Sequence, residues 1–214
     1  MQNIKTKQIV VMIIMGILSF SNFLGLKIAG LSVVIGVVFF FINKRSEKLS
    51  DKEAGLDINS IKTNLKSKSI WFWLLLPLIM DAFSITISKL FLPEYIEHVL
   101  ARTVTFVSFD KVVIMIIQLL ILALGEEIAW RGFFQKHLNK VFPITHTLVI
   151  LSILFALGHI TEGNTIIVLY DIFFVFINSI LYGIIFYKTN NVWLSTISHF
   201  VANLFSIIVL VFLL

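Results

Sequence analysis

The 214 residues contain no cysteine, only three prolines, and charged side chains at just 14% of positions. Without cysteine, neither a disulfide framework nor a thiolate zinc site can form. The charge share is little more than half the roughly 25% of a soluble domain, which excludes an ordinary water-soluble fold. Apolar residues take up the difference: 58% are hydrophobic and the mean hydropathy is +0.99. Uncharged apolar runs approaching 20 residues read as membrane-spanning helices. The fold class expected is therefore all-α, a polytopic membrane bundle of about seven transmembrane helices near 8–22, 25–42, 70–91, 112–134, 146–161, 165–187 and 193–213.

The start, MQNIKTKQIVVMIIMGILSF, has the positive head and apolar stretch of a signal peptide. It lacks a small-x-small cleavage site and a second apolar run follows at once, so it reads as a retained first span. The net charge is +5, and its distribution carries more information than its sum. Lys44, Arg45, Lys48, Lys52, Lys62, Lys66 and Lys68 crowd the loop 43–69. The positive-inside rule makes that loop cytoplasmic, together with the N-terminus, Lys136, Lys140 and Lys188. Lys27 alone falls on the other side. Such a loop reads as a solvated juxtamembrane segment, with the lipid bilayer and no nucleic acid as partner. Its Leu56, Ile58, Ile61 and Leu65 follow one helical face, which suggests a helix lying on the inner membrane surface; a disordered linker is the competing reading. The outer connection 92–111 has balanced charge. Two regions follow from this reading: N-terminal membrane helices over 1–92 and a core over 110–210.

Charged side chains inside spans are costly and face a partner or a wet cavity. The stretch GEEIAWRGFF begins with two carboxylates directly after an uncharged apolar run. Glu127 and Arg131 are four residues apart and can pair on one helical face. Glu126 sits about 100° around the helix from Glu127 and has no partner on its own helix. A second set, Phe155 and His159, and a third, His199 and Asn203, repeat the four-residue spacing on two other spans. Each set alone has a structural explanation, such as a hydrogen-bonded core histidine or a buried ion pair. Together, on three otherwise almost uncharged spans, one shared polar cavity satisfies them all. Its chemistry is peptide-bond hydrolysis: Glu126 takes a proton from water that His159 holds, and His199 with Asn203 stabilises the oxyanion. Alternatively a divalent metal such as zinc, held by Glu126, His159 and His199, polarises the water. His98, His137 and His146 receive no such role and are expected to touch water or headgroups.

Glu126-Glu127-x-x-x-Arg131, Phe155-x-x-x-His159 and His199-x-x-x-Asn203, in that order on successive apolar segments, resemble the CPBP (Abi) intramembrane proteases. That family includes the type II CAAX prenyl endopeptidases, lysostaphin-resistance-type membrane proteins and proteins of bacteriocin processing or self-immunity. Trp130-Arg131-Gly132 and the turn Tyr187-Lys188-Thr189-Asn190-Asn191 add to the likeness, which covers roughly 110–210. The resemblance implies a membrane-embedded hydrolase; at about 1.5 Å per residue Glu126 and His199 lie roughly 12 and 10 Å from the inner ends of their spans, so its cavity is expected to open to the cytoplasmic side. It makes Glu126 and His159 the water-activating pair, His199 and Asn203 the oxyanion pair, and Glu127, Arg131 and Phe155 the support. Both metal-dependent and glutamate-based mechanisms have been argued for the family. The expected substrate is a peptide or small membrane-associated protein. The abundance of Ile, Lys, Asn and Phe suggests a low-GC bacterium, so bacteriocin leaders or signalling peptides fit better than prenylated proteins. A non-catalytic membrane partner that confers immunity by binding is the competing reading. A transporter fits poorly, since no internal repeat is visible.

Overall fold

A computed structural model describes residues 4–213, and every regular element among them is helical. In chain order these are α1 (Thr6–Phe20), α2 (Gly30–Ser46), α3 (Asp51–Ala54), α4 (Asn59–Asn64), α5 (Lys68–Phe91), α6 (Glu94–Thr103), α7 (Val112–Leu138), α8 (Ile144–Leu157), α9 (Thr165–Thr189) and α10 (Val192–Leu213). Four of them, α5, α7, α9 and α10, are long and apolar enough to cross a membrane. The expectation of seven crossings counted three further apolar segments. Their helices α1, α2 and α8 have 15, 17 and 14 residues, short of a full crossing of about 20. Two boundaries move for local reasons. Gly25 and Lys27 take left-handed φ of 76° and 52°, so the chain turns there and α2 starts only at Gly30. The helix expected to reach 161 stops at Leu157, which leaves His159 in the turn beyond it.

Within α7 the hydrogen bonding widens to a π-helix over Glu127–Gln135, and all nine of those residues are buried. Such segments are rare and concentrate at functional sites. Here α2 lies across the widened stretch through two glycine contacts. An added Cβ at Gly36 would lie 2.6 Å from Ala129 Cβ, and one at Gly132 would lie 2.9 Å from the Phe40 ring. Close approach at these two points places Met15, Phe40, Ala129, Trp130, Phe133 and Phe155 in one core cluster.

The basic segment between α2 and α5 folds against the helices and is not a disordered linker. Asn191 donates to the Asp57 carbonyl (2.8 Å) and to Ser60 Oγ (2.7 Å), and Asn190 donates to the Lys52 carbonyl (2.9 Å). The Trp193 indole donates to the Leu56 carbonyl at 2.9 Å, and Lys136 reaches the Glu53 carbonyl. Ile61 and Leu65 turn inward against Tyr182, Ile185 and Leu194, while Ile58 stays exposed. The apolar spacing seen in the sequence therefore faces protein. His137 also departs from expectation. It is buried, donates from Nδ1 to the Phe133 carbonyl (2.7 Å) and accepts at Nε2 from the Asn43 amide (3.2 Å), tying α2 to α7. His146 is exposed, as expected.

The opposite end holds a second correction. His98 does not point at water or headgroups. The balanced connection 92–111 forms the amphipathic helix α6, which turns Tyr95 and Val99 inward. Arg102 and His98 meet Asp171 of α9 at 3.0 and 3.4 Å, and Asp171 is 1% exposed. A carboxylate buried that deeply requires such cations. Asn22 completes this end by accepting from the Ala29 amide (3.2 Å) and donating to the Gly158 carbonyl (2.7 Å).

Candidate active site

Three helices bring polar side chains to one place by different means. α7 supplies Glu126 as its last α-helical residue and Glu127 as the first of the π segment. α10 supplies His199, and Asn191 caps that helix by accepting from the Leu194 amide at 3.0 Å. α9 supplies Ser179 and Tyr182.

His199 stands between the two glutamates. Its Nδ1 lies 3.0 Å from Glu127 Oε1 and its Nε2 lies 3.6 Å from Glu126 Oε2. Glu127 faces Arg131 at 3.4 Å through its other oxygen, and both side chains are wholly buried. The expected Glu127–Arg131 pair is therefore present, with an addition: Glu127 also holds His199. Arg131 in turn donates to the Ser179 carbonyl (2.9 Å) and Ser179 Oγ (3.0 Å). Its guanidinium lies over the Phe155 ring at 5.0 Å and near the Tyr182 ring at 5.7 Å. Within this set each acid meets a base.

Phe155 ties the second set to the first. Its ring lies 4.6 Å from the His159 ring and 6.3 Å from the His199 ring, centroid to centroid. His159 Nδ1 lies 2.8 Å from the Phe155 carbonyl, which can only accept, so Nδ1 carries the hydrogen and Nε2 is left with its lone pair free. Glu126 and His159 are both half-buried, unlike Glu127 and Arg131. Asn203 lies one turn beyond His199 on α10, half-buried, and its amide takes no hydrogen bond among the described residues.

Two participants had no signal in the sequence reading. Tyr182 stacks face to face on His199, with centroids 4.3 Å apart and planes 17° from parallel. Asp81 of α5 accepts from Asn178 (2.6 Å) and from Ser206 (2.8 Å), and Ser206 lies two turns past His199 on α10. Asp81 sits in the middle of a span and was visible as a charge there. It shares no four-residue spacing with another polar residue, and for that reason pattern reading passed over it.

A divalent ion held by Glu126, His159 and His199 needs three donors on one point. Nε2 of His199 faces Glu126, but no three His, Asp or Glu side chains among the described residues converge into such a group. The residues as placed do not fit that ion, and the chemistry below is derived from the chain's own side chains.

Neither a curated protein nor a solved structure matches this chain. A family model does, over residues 108–205, and its description is type II CAAX prenyl endopeptidase Rce1-like. The matched stretch contains Glu126, Glu127, Arg131, Phe155, His159, His199 and Asn203. Over that stretch, a little under half of its length, the chain is similar to the Rce1-like type II CAAX prenyl endopeptidases.

Proposed function

We propose that the protein is an intramembrane endopeptidase that hydrolyses one peptide bond in a peptide or small membrane-associated protein, reached from the side of the membrane that bears the basic 43–69 segment. The observation that carries this reading is His199 held between two carboxylates of unequal exposure. Glu127, fully buried and paired with Arg131, orients the imidazole, the part an aspartate plays behind a catalytic histidine. Glu126, half-buried, is left for proton transfer.

The steps follow from the hydrogens. The lone pair on His159 Nε2 accepts from a water, and Glu126 takes that water's other proton as its oxygen attacks the scissile carbonyl. Glu126 then passes the proton across 3.6 Å to His199 Nε2, whose new N–H, beside the free amide of Asn203, donates to the oxyanion. Collapse of the intermediate breaks the C–N bond, and the departing amine takes the proton that His199 Nε2 holds, directly or back through Glu126.

The test compares cells making equal amounts of wild-type protein and Glu126→Gln, by profiling the new N- and C-termini of membrane and secreted peptides. Specific termini present only with the wild type support the protease and name its substrate. Identical profiles overturn it and leave a binding role.

A further inference from the structure

Four carboxylates lie inside the long helices, and three of them meet a basic side chain. Glu126 faces His199, Glu127 faces Arg131 and His199, and Asp171 faces Arg102 and His98. Asp81 is the exception among the described residues. Its contacts are two neutral donors, Asn178 Nδ2 and Ser206 Oγ. A carboxylate oxygen pair offers about four acceptor positions, so roughly half are unfilled here. Beside it, Asn178 is 8% exposed, and its Oδ1 is buried with no donor. A half-buried carboxylate next to an orphaned amide oxygen is a cluster of acceptors without a donor. In the middle of a membrane helix that arrangement is costly unless a proton or a cation enters it.

The cluster borders the proposed site. Ser198 of α10 donates to the Leu74 carbonyl of α5, and Ser206 donates to Asp81, so the two helices run side by side in the same direction. Seven residues separate His199 from Ser206, about 10 Å along the axis at 1.5 Å per residue. An extended peptide covers that distance in about three residues at roughly 3.3 Å each. A peptide whose scissile bond sits at Glu126 and His199, and which runs along α10 toward its C-terminal end, comes level with Asp81 within a few residues.

The geometry points to a substrate-binding subsite in which Asp81 and the Asn178 carbonyl oxygen receive an ammonium or guanidinium group two to four residues from the cleaved bond. The proposal rests on the endopeptidase reading above and assigns it a charge preference. The cation has two sources, a lysine or arginine side chain or the free N-terminus of a short peptide.

The experiment adds Asp81→Asn to the terminus profiling of wild type and Glu126→Gln. The asparagine keeps an acceptor for Ser206 and gives Asn178 Oδ1 a donor, so the bundle retains its contacts. Sites that vanish in Glu126→Gln are expected to carry a cation at that distance, and Asp81→Asn is expected to cut them at least tenfold less while neutral sites are cut as before. Equal cleavage of the cationic sites by Asp81→Asn overturns the subsite with the protease left standing. Identical profiles for wild type and Glu126→Gln overturn the protease, and this proposal with it. A second measurement needs no variant: a synthetic peptide spanning a found site is compared with its lysine-to-norleucine and N-acetylated forms on purified wild-type protein. A tenfold rise in KM with kcat held, in one form or the other, identifies the source of the cation. No change in either form overturns the subsite.

Discussion

His199 Nδ1 sits 3.0 Å from Glu127 Oε1, while its Nε2 faces Glu126 at 3.6 Å. Two adjacent residues thus address opposite edges of one imidazole, and their surroundings separate their roles. Glu127 and Arg131 are both wholly buried, so removing either charge strands the other. Glu127→Gln is expected to destabilise the protein by about 3–5 kcal/mol, the scale for breaking a buried pair. Glu126→Gln, at a half-buried position, is expected to cost less than about 1 kcal/mol while abolishing cleavage. Thermal unfolding of both variants in detergent checks this, and equal melting temperatures would refute the division of labour.

Much of this was legible because helices repeat. Apolar runs located α5, α7, α9 and α10, and the four-residue spacing brought out Glu127–Arg131, Phe155–His159 and His199–Asn203. The hidden parts involve contacts between segments. The Glu127–His199 bond joins residues 72 apart in the chain, and no spacing rule reports it. His98 looked like a contact to water or headgroups because its partner, Asp171, lies on another helix. Leu56, Ile61 and Leu65 showed a genuine apolar face, yet periodicity does not say whether lipid or protein covers it. The π segment also limited the angular argument, since 100° steps hold only up to Glu126.

Tyr182 gives a second prediction. Its ring packs flat on His199 and borders Arg131, so it restrains the imidazole by shape. Tyr182→Phe keeps the ring and is expected to retain stability within about 1 kcal/mol and cleavage within a few-fold. Tyr182→Ala opens a cavity and is expected to cost about 3–5 kcal/mol. If Tyr182→Phe abolishes cleavage with folding intact, the hydroxyl has a chemical role that stacking does not explain.

Gly36 fixes how closely α2 approaches the π segment. An added methyl there meets Ala129 Cβ at 2.6 Å and Ala129 Cα at 3.0 Å, neither of which can rotate away. Gly36→Ala is expected to destabilise by about 1–3 kcal/mol through overpacking. Ala129 lies two residues from Glu127, so cleavage should fall further than the loss of folded protein explains. A stable variant with full cleavage would show that the π segment tolerates displacement.

Asn191 carries the last test. It caps α10 at the Leu194 amide and ties α10 to the basic segment at Asp57 and Ser60. Asn191→Ala removes the cap, worth about 1 kcal/mol, and leaves the carbonyl of Asp57 and the hydroxyl of Ser60 to find other partners. Asn191→Asp retains an acceptor for the cap but no amide to donate, so it separates the two functions. Trypsin reports the difference at Lys62 and Lys66, which α4 and the turn after it present on the surface. Both variants are expected to be cut faster than wild type at those lysines, with only Asn191→Ala also losing thermal stability at the start of α10. Wild-type cutting rates in Asn191→Asp would mean that Trp193, Asn190 and Lys136 hold the segment without Asn191.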